Sequence, residues 1–219
     1  MSKIIRLWNL YHMTFWKGLG GTLWISALTV LLGTLLGMLI ALMRMGKSKI
    51  FSAFANIYVE ILRGTPILLQ LYFFWIGLPK LIPYELSDTQ CILTALIVNA
   101  SAYISEIIRA GINAVDKGQW EAARSIGLTE SHVMTRIILP QAVKNILPAL
   151  GNEFIMVVKE TSLASTFFVG ELMTAYLKVK GYTYLTMECL AIVGVLYFTL
   201  TFILSKLLKA MERRMKARA

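Results

Sequence analysis

Charge is scarce in this chain of 219 residues. Only 16% are Asp, Glu, Lys or Arg, against 57% hydrophobic ones and a mean hydropathy of +0.66. A soluble domain of this length cannot hide so much apolar surface, so the class is an all-α integral membrane protein in one domain. Cysteine is nearly absent. Cys91 and Cys189 stand far apart, in or beside apolar runs, with no CxxC or metal spacing, which argues against a disulfide or a zinc site. His12 and His132 are the only histidines and form no HExxH. Twelve acidic residues against 22 basic ones leave a net charge of +10. That excess does not point to nucleic acid, because the cations sit at the ends of apolar runs and form no basic face. Topogenic charge accounts for it better. The N-terminus also lacks a signal peptide's order of charge, short apolar core and cleavage site, so the first membrane helix is expected to be retained.

What remains is long apolar runs. Five of them, residues 19–43, 51–78, 90–110, 141–168 and 185–207, are read as membrane spans, each set against about 30 Å of hydrocarbon. Ahead of them, residues 3–17 place Ile4, Trp8, Tyr11 and Phe15 at helical spacing, which fits an interfacial helix with aromatic anchors. Gly33 and Gly37 form a GxxxG, expected to serve close helix packing more than a dimer seam. Gly46-Lys47-Ser48 imitates the end of a phosphate loop, but Ala41 stands where its partner glycine belongs, so no ATP site is expected in this chain. Residues 170–184 read as a polar external connector, and a basic tail covers residues 209–218.

Polar groups inside the spans are few and therefore informative. In the second, Arg63-Gly64-Thr65-Pro66 interrupts the helix, and Glu60 and Arg63 lie one turn apart. This is either a kink with a structural ion pair or part of a translocation path, with Thr65 and Pro66 offering freed backbone. The third span carries Asn99, Glu106 and Arg109, with Gly111 as its expected cap. In the fourth, Glu153 and Glu160 share a face, and Lys159 lies about 100° round the helix from Glu160. Ionisable groups at membrane depth cost roughly 2.5 kcal/mol or more each, so they are functional candidates by default.

One polar interval stands out, EAARSIGLTESHVMTRIILP at residues 121–140, the core of an elbow over residues 119–139. Gly127 falls where a helix needs a left-handed cap, Thr129 is positioned as the next N-cap, and Leu128 can staple to Val133. Pro140 suits the first turn of the following helix. Ala122 and Ala123 keep one side low, which admits a close partner. On chemistry alone this is either an ordinary amphipathic loop or a docking elbow.

The spacing resembles a known pattern. Glu121-Ala122-Ala123, three residues, Gly127, nine residues, Ile137, one residue, then Leu139-Pro140 is similar to the EAA motif of ATP-binding-cassette importer permeases. ILRGTPILLQLYFFWIGLP and AYISEIIRAGI followed by VDKGQWEAA resemble the branch that carries polar amino acids, the histidine, arginine and glutamine systems. The likeness covers nearly the whole chain. It implies a type I importer permease fold in a bacterial inner membrane, with lipid around it. It further implies a second permease chain, identical or homologous, two ATPase subunits holding ATP and magnesium, and an external substrate-binding protein. The segment at Glu121 is then the cytoplasmic coupling helix. Loop cations place the N-terminus outside and the C-terminus inside.

A zwitterionic substrate needs an anion for its α-amino group and a cation or backbone N–H for its carboxylate. Glu153, Glu160 and Lys159 meet that need, with Thr161, Ser162 and Asn99 as polar neighbours and the Thr65–Pro66 break close by. The competing role for these residues is a structural network between two permease chains. Among rival functions, an ion-coupled transporter is usually longer, with paired repeats, and would not need the elbow; an enzyme needs a convergent constellation that is not visible; a membrane scaffold without transport stays open as an alternative.

Overall fold

The computed structural model describes residues 2–216, and Arg218 of the basic tail lies outside them. The described residues form helices joined by short turns, organised around one central helix. α4 (Asp88–Asn113) packs against α1 (Ser2–Met45), α2 (Lys49–Gly64), α3 (Ile67–Leu81) and α7 (Leu139–Glu160). Ser87 starts α4 with a complete capping box to Gln90. The helix does not stop at Gly111 as expected but runs on to Asn113. A side chain at Gly111 would collide with Ile146 of α7, so this glycine serves packing.

The expected interfacial helix is not separate. α1 is one rod of 44 residues, about 66 Å long, and residues 3–17 are its first third. The glycines after Lys17 do not break it, and two of them, Gly18 and Gly21, are contact points. A Cβ on Gly18 would sit 2.8 Å from the Cβ of Ala175. Leu7 and Phe15 are buried against the other end of the chain and leave the lipid surface. Further along, a Cβ on Gly37 would lie 2.9 Å from the Ser101 carbonyl oxygen, so the GxxxG seats α1 on α4 within one chain.

The 170–184 connector is largely a helix, α8 (Leu172–Thr183). Leu172, Ala175, Tyr176 and Val179 recur at helical spacing and bury against Leu7, Phe15 and Ile192. Its cap is the fully buried Glu171, whose carboxylate accepts the N–H groups of Met173 and Thr174, both at 2.5 Å, and the Tyr197 hydroxyl at 3.2 Å. The last helix, α9 (Thr186–Lys216), extends well past residue 207 and absorbs most of the basic tail.

Among the described residues, three helices are long and apolar enough to cross a membrane, within residues 3–45, 88–113 and 186–215. The second expected span is not straight, since the chain bends by 110° between α2 and α3. Proline forces its predecessor out of the helical region. Thr65 accordingly sits at φ −117°, ψ 144°, and Pro66 is extended too. Cys91 and Cys189 are both free and buried.

Candidate functional site: elbow and polar level

The elbow is built from local rules. Asp116 caps α5 (Lys117–Ser125), its carboxylate accepting the Gly118 N–H at 2.6 Å. At the other end Gly127 adopts φ +80°. The Leu128 N–H reaches the Ala123 carbonyl at 3.2 Å and the Gly127 N–H reaches that of Arg124 at 2.9 Å, which together make a Schellman cap. Thr129 then caps α6 (Glu130–His132), its hydroxyl accepting the His132 N–H at 3.4 Å. Leu128 packs in the same cluster as the buried Val133. From Glu130 the rod continues through a π-helical stretch, Val133–Ile138, straight into α7 with Pro140 in its first turn. No loop separates elbow from span.

Of the seven elbow residues singled out by spacing, Glu121, Ala122, Gly127, Leu139 and Pro140 are exposed. Ala123 is not, being only 4% exposed and packed with Val133, Ile138 and Ala142, so its small size serves the chain's own core. Ile137 is half-buried against the same cluster. Two features went unread in the sequence. Ile126 stands 77% exposed at the bend, a large apolar side chain beside a polar helix. Arg124 also braces the elbow, donating from Nε and Nη2 to the two carboxylate oxygens of Glu130 at 2.8 and 3.1 Å. That guanidinium holds the Glu130 carboxyl below the usual carboxylate value.

Within the spans, the structure joins some of the proposed substrate residues and separates others. The Thr65–Pro66 break leaves carbonyls without helical partners, and Gln70 satisfies them. Its side-chain amide donates to the Leu62 and Thr65 carbonyls at 2.8 and 3.2 Å and to the Thr65 hydroxyl at 2.9 Å. Its oxygen accepts from Asn99 at 2.9 Å. Asn99 and Thr65 therefore belong to one buried network whose hub was missed, although a lone glutamine four residues after Pro66 in an apolar run was the signal. Glu60 and Arg63 do not form the expected pair. Arg63 lies 3.8 Å from Glu106 of α4, while Glu106 also binds Arg109, one turn on, and Arg44 at 2.6 Å.

On α7, Glu153 and Glu160 are half-buried and Lys159 is exposed. Among the described residues none of the three side chains forms an ion pair or accepts a hydrogen bond. Thr161 is buried and donates to the Val158 carbonyl, and Ser162 donates to that of Lys159. Beyond Glu160 the chain tightens into a 3-10 turn, Thr161–Phe167, that ends on left-handed Phe168 at φ 53°. Ala100, beside Asn99, packs against Val157, so α4 and α7 meet between the two glutamates.

Residues 33–217 match the family described as binding-protein-dependent transport system inner membrane component. The chain belongs to this family. The arginine transport system permease protein ArtQ of Bacillus subtilis (strain 168) is 39% identical over 201 residues, covering 92% of each chain. The nopaline transport system permease protein NocM of Agrobacterium fabrum is 36% identical over 201 residues, covering 87% of this chain and 83% of that one. A crystal structure of an amino acid ABC transporter with histidines superposes with a TM-score of 0.91 at 43% identity, over 94% of this chain and 96% of that one. The membership bears out the resemblance read from the EAA spacing, and the fold is that of a type I importer permease.

Proposed function

We propose that this family member forms the translocation path of an ATP-driven amino acid importer and couples it to separate ATPase subunits through Glu121–Pro140. The observation that carries the coupling is continuity, since beyond the capped bend at Gly127 and Thr129 the chain is helical without a break from Glu130 to Glu160. A lever must be short, stiff and tied directly to what it moves.

In this account the bent pair α2–α3 and the charged α7 complete five spans with α1, α4 and α9. The N-terminus is outside and the elbow and C-terminus are cytoplasmic. Two ATPase subunits, which bind ATP and magnesium, grip two elbows, one from this chain and one from a second copy or close homologue. Glu121 pairs with a basic ATPase residue, while Ala122 and Gly127 keep the contact close. An external binding protein delivers the substrate.

Glu153 and Glu160 offer anionic partners for an α-amino group, and their lack of an ion-pair partner among the described residues supports that role. Lys159, Ser162 and the backbone near Thr161 serve the carboxylate. Asn99 and Thr65, tied up with Gln70, act by shaping the broken helix beside the path, with Pro66 fixing its angle.

The test is reconstitution with an ATPase subunit and the binding protein. L-Arginine, L-histidine and L-glutamine uptake is measured alongside vanadate-sensitive ATP hydrolysis. Uptake of one or more of them, dependent on ATP, is the expected result. ATP-independent uptake, or none across a full amino acid panel, would contradict the proposal.

A further inference from the structure

Glu106 lies two turns along α4 from Asn99 and gathers guanidinium groups from three helices. Its Oε2 accepts from Arg44 at 2.6 Å and lies 3.8 Å from Arg63, while Oε1 holds Arg109. One carboxylate faces three cations. Arg44 is well placed, since it also donates to Asn56 at 2.8 Å and only 13% of its side chain is exposed. Arg63 and Arg109 keep 43% and 38% of theirs exposed. Arg63 rests over the Tyr103 ring, 5.5 Å from its centre, and among the described residues donates no hydrogen bond. A guanidinium has five N–H donors, so most of its capacity is unused.

Depth makes this costly. Glu106 is about 10 Å above the elbow end of α4, and Arg63 is about 21 Å along α2 from its start. Glu60, one turn before Arg63 on the same side of α2, is also exposed and has no ion-pair partner among the described residues. A helix face carrying both signs does not lie against hydrocarbon. Its exposed charges favour a polar space in front of it.

We propose that Arg63 and Glu60 form a second substrate station on the translocation path, on the elbow side of the Glu153–Glu160 level, where Arg63 binds the α-carboxylate and Glu60 the α-ammonium of the amino acid. This rests on the transport reading above. The planar fork of Arg63 matches a carboxylate through two parallel hydrogen bonds. Glu106 and Tyr103 hold the guanidinium in place, and Arg109 supplies further positive potential behind it.

The experiment uses the nucleotide-free complex with its ATPase subunits. Equilibrium binding is measured for whichever of L-arginine, L-histidine or L-glutamine the wild type takes up, and for the α-carboxamide of the same compound. Arg63→Gln is expected to weaken the acid about tenfold or more and to leave the amide unchanged. Arg63→Lys, which keeps the charge and loses the fork, is expected to fall between. An equal loss for acid and amide, or no loss for either, would overturn the station while wild-type uptake left the transport reading standing. If none of the three is carried, the same acid and amide pair is made from whichever amino acid the full panel shows to be taken up, and only an absence of uptake across that panel brings both readings down.

Discussion

Gln70 accepts a 2.9 Å hydrogen bond from Asn99 and turns its own amide toward the carbonyls of Leu62 and Thr65. This one side chain closes the broken helix and pins it to the central α4. Gln70→Leu strands those carbonyls and the Asn99 amide, at about 1–3 kcal/mol for each group left unsatisfied. We expect a lower thermal unfolding midpoint in detergent. Asn99→Leu added to Gln70→Leu should cost much less than the sum of the two, since both remove one network. Strictly additive losses would contradict the linkage.

Gly127 holds the elbow at φ +80°, with nothing nearby to clash with an added side chain. The penalty for Gly127→Leu is therefore backbone strain, about 1–2 kcal/mol. That is too little to unfold the chain and enough to loosen the bend. Glu121→Lys leaves the bend intact and reverses the charge it presents. Both variants should reach the membrane, keep ATP hydrolysis and lose most uptake. Uptake per ATP at the wild-type level in either would contradict the docking role.

The Arg124–Glu130 brace gives the elbow a pH signature. Arg124 lowers the Glu130 carboxyl, so its stabilisation is fully present above the ordinary glutamate value and disappears as pH falls through the lowered one. The elbow amides around Gly127 and Leu128 should keep constant hydrogen-exchange protection from pH 7 down to about pH 5 and lose it in stronger acid. Glu130→Gln should remove the pH dependence. Because both groups are exposed, the effect stays local and weakens with salt.

The elbow was legible because it follows local rules. Gly127, Leu128, Thr129 and Pro140 each announce their backbone role in the residue itself, and the EAA spacing adds the family. The long α1 was harder to read. Gly18, Gly20 and Gly21 look like an ending in one dimension, yet Gly18 is the surface on which α8 rests. The pairing of Arg63 was equally hidden, because a one-turn spacing to Glu60 is visible in sequence and a contact to α4, more than forty residues away, is not. Glu171 was passed over for the same reason. It reads as a loop glutamate, and only the packing of α8, Thr22 and Tyr197 around it turns it into a buried cap.

Glu153 separates the substrate role from a merely structural one. Glu153→Gln keeps the shape and removes the charge, so an α-amino contact predicts a weaker apparent affinity for uptake, by about tenfold or more. The amount of assembled complex should not change. Unchanged affinity, or a complex that falls apart, would move Glu153 to the contact between permease chains.

The central claim is that the elbow touches the ATPase, and crosslinking tests it most directly. A cysteine introduced as Ala122→Cys is exposed and leaves both native cysteines buried. In the assembled complex it should crosslink to the ATPase subunit and react only with thiol reagents that reach the cytoplasmic side. Labelling from outside, or no crosslink to the ATPase in a transport-competent complex, would contradict the account.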